Sequence, residues 1–362
     1  MLPGLKEVCD MIDWTASMIQ SFEYFTVNPN TWRDDKKINI VKTATINRDS
    51  TVETLGSASI NVTESIGECY IRIYLKVIQD REEHREPLGT FLTQTPSSGF
   101  DGKVENATVD GYTPLLELKE NPPPLGYSIA KNENIMAMAY RLTQEQSRAP
   151  VIETKCSEKL YDDFVANTDD TWISYLTDLI ANAKYSYGLD EMGRILFLPK
   201  QETASLQPIW TYNDDNSSIL QPTINLEHDI YGIPNVVEVL YSNGNGYYYA
   251  KVVNDDENSP TSTVNRGREI TKRINNPDLN GYATQNQINE YAERMLRELS
   301  SLEYTITYTH GYCPVRVGDC VRLNYQKAKI TNVKAKVISQ SIKCETGCLV
   351  TEKAVFTVKL WG

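Results

Sequence analysis

Short runs of alternating polar and apolar residues fill most of this chain, and that period of two predicts strands. Within residues 68–102, Tyr70, Ile71, Ile73, Leu75, Val77 and Ile78 form a β-branched and aromatic run that mostly alternates with polar positions. That is the pattern of a half-buried strand. Residues 79–85 read as a charged hairpin tip, with His84 facing solvent. Leu88, Thr90, Phe91 and Leu92 begin a return strand, with Pro87 at its first position, where a missing N–H does least harm. The segment TPSSGFDG that follows reads as a Ser/Gly-rich loop. The runs INIVKTATINRDS, ASINVTES and GKVENATVDGYT add short strands at intervals of roughly 8–15 residues, the spacing of a barrel or sandwich. Before residue 37, Trp14, Met18, Ile19, Phe22 and Phe25 fit either a short helix or an irregular strand pair.

The period then changes. Pro122, Pro123 and Pro124 make a stiff connector. Ile129, Ile135, Met136, Ala139, Tyr140 and Leu142 recur at near-helical spacing. A second helix spans 170–185, with Trp172, Ile173, Leu176, Leu179, Ile180 and Ala183 on one stripe. Asp169 or Asp170 is its expected cap, and Gly188 with the turn LDEMG its expected end. RILFLP is a strand stopped by Pro199, so residues 111–200 form an α+β insert. Strands NVVEVLYS and GYYYAKVVN flank NGNG, a hairpin signal because Asn and Gly tolerate positive φ. The third helix opens on a capping box of Thr284 and Gln287 and carries Ile288, Tyr291, Ala292, Met295, Leu296 and Leu299 on one face. The last block returns to strands. The fold class is α+β, mainly β.

Composition narrows the function. The net charge of -12, from 48 acids against 36 bases, disfavours a protein that grips nucleic acid. Lys327, Lys329, Lys334 and Lys336 read as a solvated face. The longest apolar runs fall far short of the ~20 residues of a spanning helix. The N-terminus lacks the basic start and apolar core of a signal peptide, so a cytosolic origin is expected, with the cysteines reduced. Of seven cysteines, Cys313, Cys320, Cys344 and Cys348 are spaced C-x6-C and C-x3-C. They read as ordinary buried thiols; a metal, cluster or disulfide joining two adjacent strands is the alternative.

Candidate chemistry is sparse. His228 and Asp229 are adjacent, so on a strand they point to opposite faces and share a metal poorly. His310 ends a strand, and no Gly-x-Ser-x-Gly elbow accompanies it. Asp190 and Glu191 read as a turn. Asp214 and Asp215 read as an Asx turn or, alternatively, a small cation site. Gly244 and Gly246 make no phosphate loop, since no GK[ST] follows. Tyrosine is frequent, at 22 residues, and Tyr247, Tyr248 and Tyr249 suit packing or an interface better than a sugar site. No catalytic residue, cofactor or metal is assigned.

Several of these segments, in this order, resemble one family. PLGTFLTQTP after YIRIYL, then VDGYTPLLELKE, then the hairpin of Asp190, Gly193, Ile195, Phe197 and Pro199, then IPNVVEVLYS, and finally Pro314, Gly318, Asp319, Val321 and Leu323 are similar to phage tail hub proteins, the base-plate hub and late-control proteins. The resemblance implies two β-barrel, tail-tube-like domains: a first barrel at 1–110, the insert at 111–200, and a second barrel begun at 201–285 and completed by the helix and strands of 286–362. It implies a homotrimer whose barrels form a pseudo-sixfold ring in the virion, at the tail tip or base plate. The implied partners are the tail tube or a distal tail protein, a spike or tip protein and the tape measure protein. DNA would pass through without specific binding, and no membrane is involved. Thr95, Ser97, Ser98 and Phe100, with Tyr247, Tyr248 and Tyr249, become interface candidates. The competing classes are a peptidoglycan hydrolase of the tail tip and a carbohydrate-binding adhesin.

Overall fold

A computed structural model describes residues 12–361 except 65, 101–104, 202, 204, 216, 217, 244, 245 and 278–283, with backbone alone at 95–98, 105, 106 and 243. Strands make up 48% of the chain and helices 15%, so the mainly β class read from the period of two holds. The chain forms two compact units. The first comprises residues 1–224 and 307–354, the second 225–306 and 355–362.

In the first unit the sheet runs through Ile330–Cys344, Val41–Asp49, Gly56–Val62, Glu105–Tyr112, Glu82–Phe100, Tyr70–Gln79, Ile19–Val27 and Asp34–Ile38. The N-terminal segment is therefore the strand pair, not the helix. Its edge strand, DDKKI, is charged, which blunts an exposed ladder. Among the described residues the pairing path does not close on itself.

Three local expectations are corrected. The hairpin tip is only Asp80 and Arg81, both at positive φ, so the return strand starts at Glu82 and His84 pairs with Val77. His84 is only 10% exposed, because it lies on the ladder and not at the tip. Pro87 sits inside the strand, beside a register shift between Ile73 and Tyr74; the bulge absorbs the missing donor. TPSSGF is strand too, reaching Phe100 against Glu105–Tyr112, with a second shift beside Pro96.

The strand Tyr70–Gln79 differs most from its pattern: its first six residues are all buried. Arg72, Tyr70 and Tyr74 face the insert rather than water. The insert packs helices Ile135–Gln146 and Trp172–Asn182 around Met136, Ala139, Leu142, Ile173, Leu176 and Ile180. Asn134 caps the first of these, and Ile129 belongs to a short strand before it. Thr171, in a capping box with Ser174, caps the second; Asp170 instead receives the Asn167 N–H. That helix ends at Asn182, where Lys184 turns the chain at positive φ, and Gly188 lies in strand Tyr185–Leu189.

The second unit holds a three-stranded sheet, Gly246–Val253, Val236–Asn243 and Thr271–Asn275, covered on one face by helix Gln285–Leu299. Ile288, Ala292 and Leu296 are fully buried against Val237, Val239 and Ala250, as the stripe predicted. The Thr284 and Gln287 capping box is present. Thr284→Ala is expected to cost about 1 kcal/mol, measured as the loss of unfolding free energy in urea.

Candidate functional site

The exposed face of the second unit's sheet gathers the tyrosines. Alternation sends Tyr248 inward against the helix cluster, while Tyr247 and Tyr249 are 82% and 52% exposed. Register places Leu240 opposite Tyr249, and Leu240 is also exposed. Glu238 flanks them, accepting from Arg273 at 2.8 Å, and Lys251 pairs with Glu269 at 3.1 Å. The result is an apolar and aromatic strip bordered by ion pairs, the composition of a binding rim and centre. Gly244 lies outside the described residues. Phe100, in the first unit, is 73% exposed; the side chains of Thr95, Ser97 and Ser98 lie outside the described residues.

The remaining sequence candidates separate. The six described cysteines are free thiols. Cys344 and Cys348 are buried near each other, and burial pushes Cys348 up to about 12. Cys320 bonds weakly to its neighbour's carbonyl, and Cys313 joins a different cluster, described below. His228 packs on Tyr304, while Asp229 accepts the Tyr231 N–H, so the two do not converge. Asp214 accepts the Gln326 N–H at 3.0 Å. Asp215 borders a cleft of about 100 Å³ with Trp210, Tyr212 and Ser218. No group of three His, Cys, Asp or Glu side chains among the described residues is arranged to hold a metal.

A buried polar centre lies in the first unit. His310 and Glu352 are both fully buried, with Nε2 3.3 Å from Oε1. Glu352 also accepts from the Tyr308 hydroxyl at 2.7 Å, from Tyr212 at 3.3 Å and from Gln340 Nε2 at 2.5 Å. Gln340 Nε2 reaches the Val315 carbonyl as well, and its Oε1 accepts from Arg48. Burial alone would raise the Glu352 carboxyl, but His310 and these donors hold it below its ordinary value. Burial opposes charge on His310, yet the adjacent Cys313 and Glu352 raise it. Its Nδ1 lies 2.6 Å from the Gly311 carbonyl, an acceptor, so that nitrogen carries a proton. Nε2 faces Glu352 Oε1 and, at 3.0 Å, the Tyr212 hydroxyl, a setting in which the carboxylate favours charge on the ring. Cys313 Sγ lies 3.9 Å from the same ring's Nδ1. The centre is closed to solvent.

A second cluster joins the insert to the sheet. The hairpin between Tyr185–Leu189 and Ile195–Pro199 turns through residues 190–194. Asp190 locks the turn by accepting from the Arg194 backbone and side chain. The Met192 carbonyl accepts from Trp32 Nε1 at 2.7 Å and from Arg72 Nη2 at 3.0 Å. Gly193 has φ 74°, and a Cβ there would lie 2.7 Å from Thr90. The glycine thus allows both the turn and the close seat. Glu191 accepts from Arg316 at 2.6 Å. Neither Arg72 nor Glu352 stands out by residue type. Phase was the available signal for Glu352, which falls in step with buried Val350 and Ala354.

By sequence, no family model matches the chain and no curated protein does. By structure, the two units have the fold of phage tail proteins, as the resemblance implied. The tail protein from Neisseria meningitidis MC58 aligns with TM-score 0.60 and 13% identity, over 94% of this chain and 98% of its own. The 43 kDa tail protein of prophage MuSo2 from Shewanella oneidensis aligns with TM-score 0.60 and 12% identity, over 93% of this chain and 98% of its own.

Proposed function

We propose that this chain is a structural hub of a phage tail: a homotrimer forming a pseudo-sixfold ring at the tail tip or base plate. The observation that carries the reading is the likeness to tail proteins over 94% of the chain, which extends through both units. In this role each subunit supplies two barrel-like domains to the ring. One side meets the tail tube or a distal tail protein, the other a spike or tip, and the tape measure and DNA pass through. The net charge of -12 suits a passage to which DNA does not adhere. A non-catalytic role fits a His310 and Glu352 pair sealed from solvent.

The strip of Leu240, Tyr247 and Tyr249 is the proposed contact between subunits. Tyr247→Asp with Tyr249→Asp should leave the circular dichroism spectrum unchanged and weaken self-association at least about tenfold, since buried aromatic anchors carry much of an interface's energy. Sedimentation velocity measures this. Unchanged association would remove the strip from the interface.

A further inference from the structure

The cluster under the insert's hairpin turn contains two buried acidic side chains. Glu86, on strand Glu82–Phe100, and Glu191, on the turn, are 6% and 7% exposed. Glu86 Oε1 and Glu191 Oε2 are both buried with no hydrogen-bond partner among the described residues. An unpartnered buried oxygen is costly if ionised and far less so if the group carries a proton. The cations nearby are already engaged. Arg316 and, at 3.7 Å, Arg48 pair with the other Glu191 oxygen, Oε1. Arg48 also donates to the Leu88 carbonyl and to Gln340. Asp319 accepts the Arg316 N–H, Tyr312 lies beside Arg48, Glu191 and Glu86, and Arg194 is held by Asp190. On the neighbouring strand Arg72 is committed to Asp34, Thr90 and the turn itself. No described cation pairs directly with Glu86.

We propose that residues 190–194 are a pH-controlled latch, seated on the sheet while Glu86 is protonated and loosened when Glu86 ionises against Glu191. Release of the turn gives both carboxylates water. The turn is built for this: few bonds hold it, namely those to the Met192 carbonyl, the Thr90 hydroxyl on the Glu191 carbonyl, and the ion pairs of Glu191 with Arg316 and Arg48. Burial first, and then Glu191, push the Glu86 carboxyl up from 4.5 to about 7, with Arg316 opposing. The sign follows. A carboxyl raised in the seated state favours that state fully below about 4.5, and the advantage is lost as pH rises through about 7. The ceiling on this effect is roughly 300-fold in the seated-to-released ratio.

Amide hydrogen exchange on the whole chain tests the latch. Gly193, Arg194 and Ile195 report it, through their bonds to the Asp190 carbonyl, Asp190 Oδ1 and the Pro150 carbonyl. After correction for intrinsic rates, their protection should fall at least about tenfold from pH 5 to pH 8 in the wild type. It should stay level in Glu86→Gln, which also leaves Asp319 free to titrate. Level protection in the wild type, or an equal fall in Glu86→Gln, overturns the proposal. If Glu86→Gln does not fold, a carbon-13 titration of the wild-type Glu86 carboxyl decides instead. A midpoint near 7 that coincides with the loss of protection supports the latch. A midpoint near 4.5, or ionisation without change in protection, overturns it.

Discussion

Glu352→Ala lowers the unfolding free energy by about 3–5 kcal/mol, because it strips the counter-ion from a fully buried imidazolium. The same change leaves the Tyr308 hydroxyl and Gln340 Nε2 without their shortest acceptor. Each abandoned buried donor adds a desolvation penalty of roughly 1–3 kcal/mol unless it finds water or its charge is lost. His310 can shed its proton, which caps the total. Urea denaturation followed by tryptophan fluorescence gives the number, and a loss below about 1 kcal/mol would contradict the ion-pair reading. The pair also has a pH signature. Glu352 is lowered, so its contribution holds above about 4.5 and fades as pH falls. His310 is raised, so its contribution is complete below about 6.5 and fades as pH rises through its folded value. The wild type but not Glu352→Gln should therefore show this dependence.

Arg72→Ala is expected to cost about 3–4 kcal/mol, for reasons of the same kind. The Arg72 side chain is 1% exposed and every donor nitrogen is used: Nε on Thr90, Nη1 on Asp34 at 2.7 Å, Nη2 on the Trp32 and Met192 carbonyls. Asp34, 26% exposed, recovers water when the arginine goes, which keeps the cost below that of a fully buried pair. The Met192 carbonyl keeps Trp32, so the turn should loosen without the insert unfolding. Denaturation in urea measures the loss, and hydrogen exchange at Gly193 should rise with it. A loss under 1 kcal/mol would mean that the guanidinium is not what holds this face.

These two residues also mark where the sequence stops being legible. The helix Gln285–Leu299 was readable in full, because its cap and its stripe are local signals and its other face is largely exposed. The hairpin of Val236–Asn243 and Gly246–Val253 was readable for the same reason. Tyr70–Gln79 was readable as a strand, but its full burial was not. Its Arg72 reads as a solvent-facing position, and only the distant turn at 190–194, brought in by the insert's fold, makes it core. TPSSGF was misread as a loop because Pro, Ser and Gly are loop residues; a register shift beside Pro96 lets the ladder continue. His310 and Glu352 lie far apart in sequence, so their pairing is a property of strand order alone.

The central claim is assembly, and native mass measurement with negative-stain imaging of the purified chain tests it most directly. The hub reading predicts a species of three times the 41.0 kDa chain, seen as a ring with a central hole. A monodisperse monomer at high concentration, with no assembly onto tail-tube protein, would contradict it.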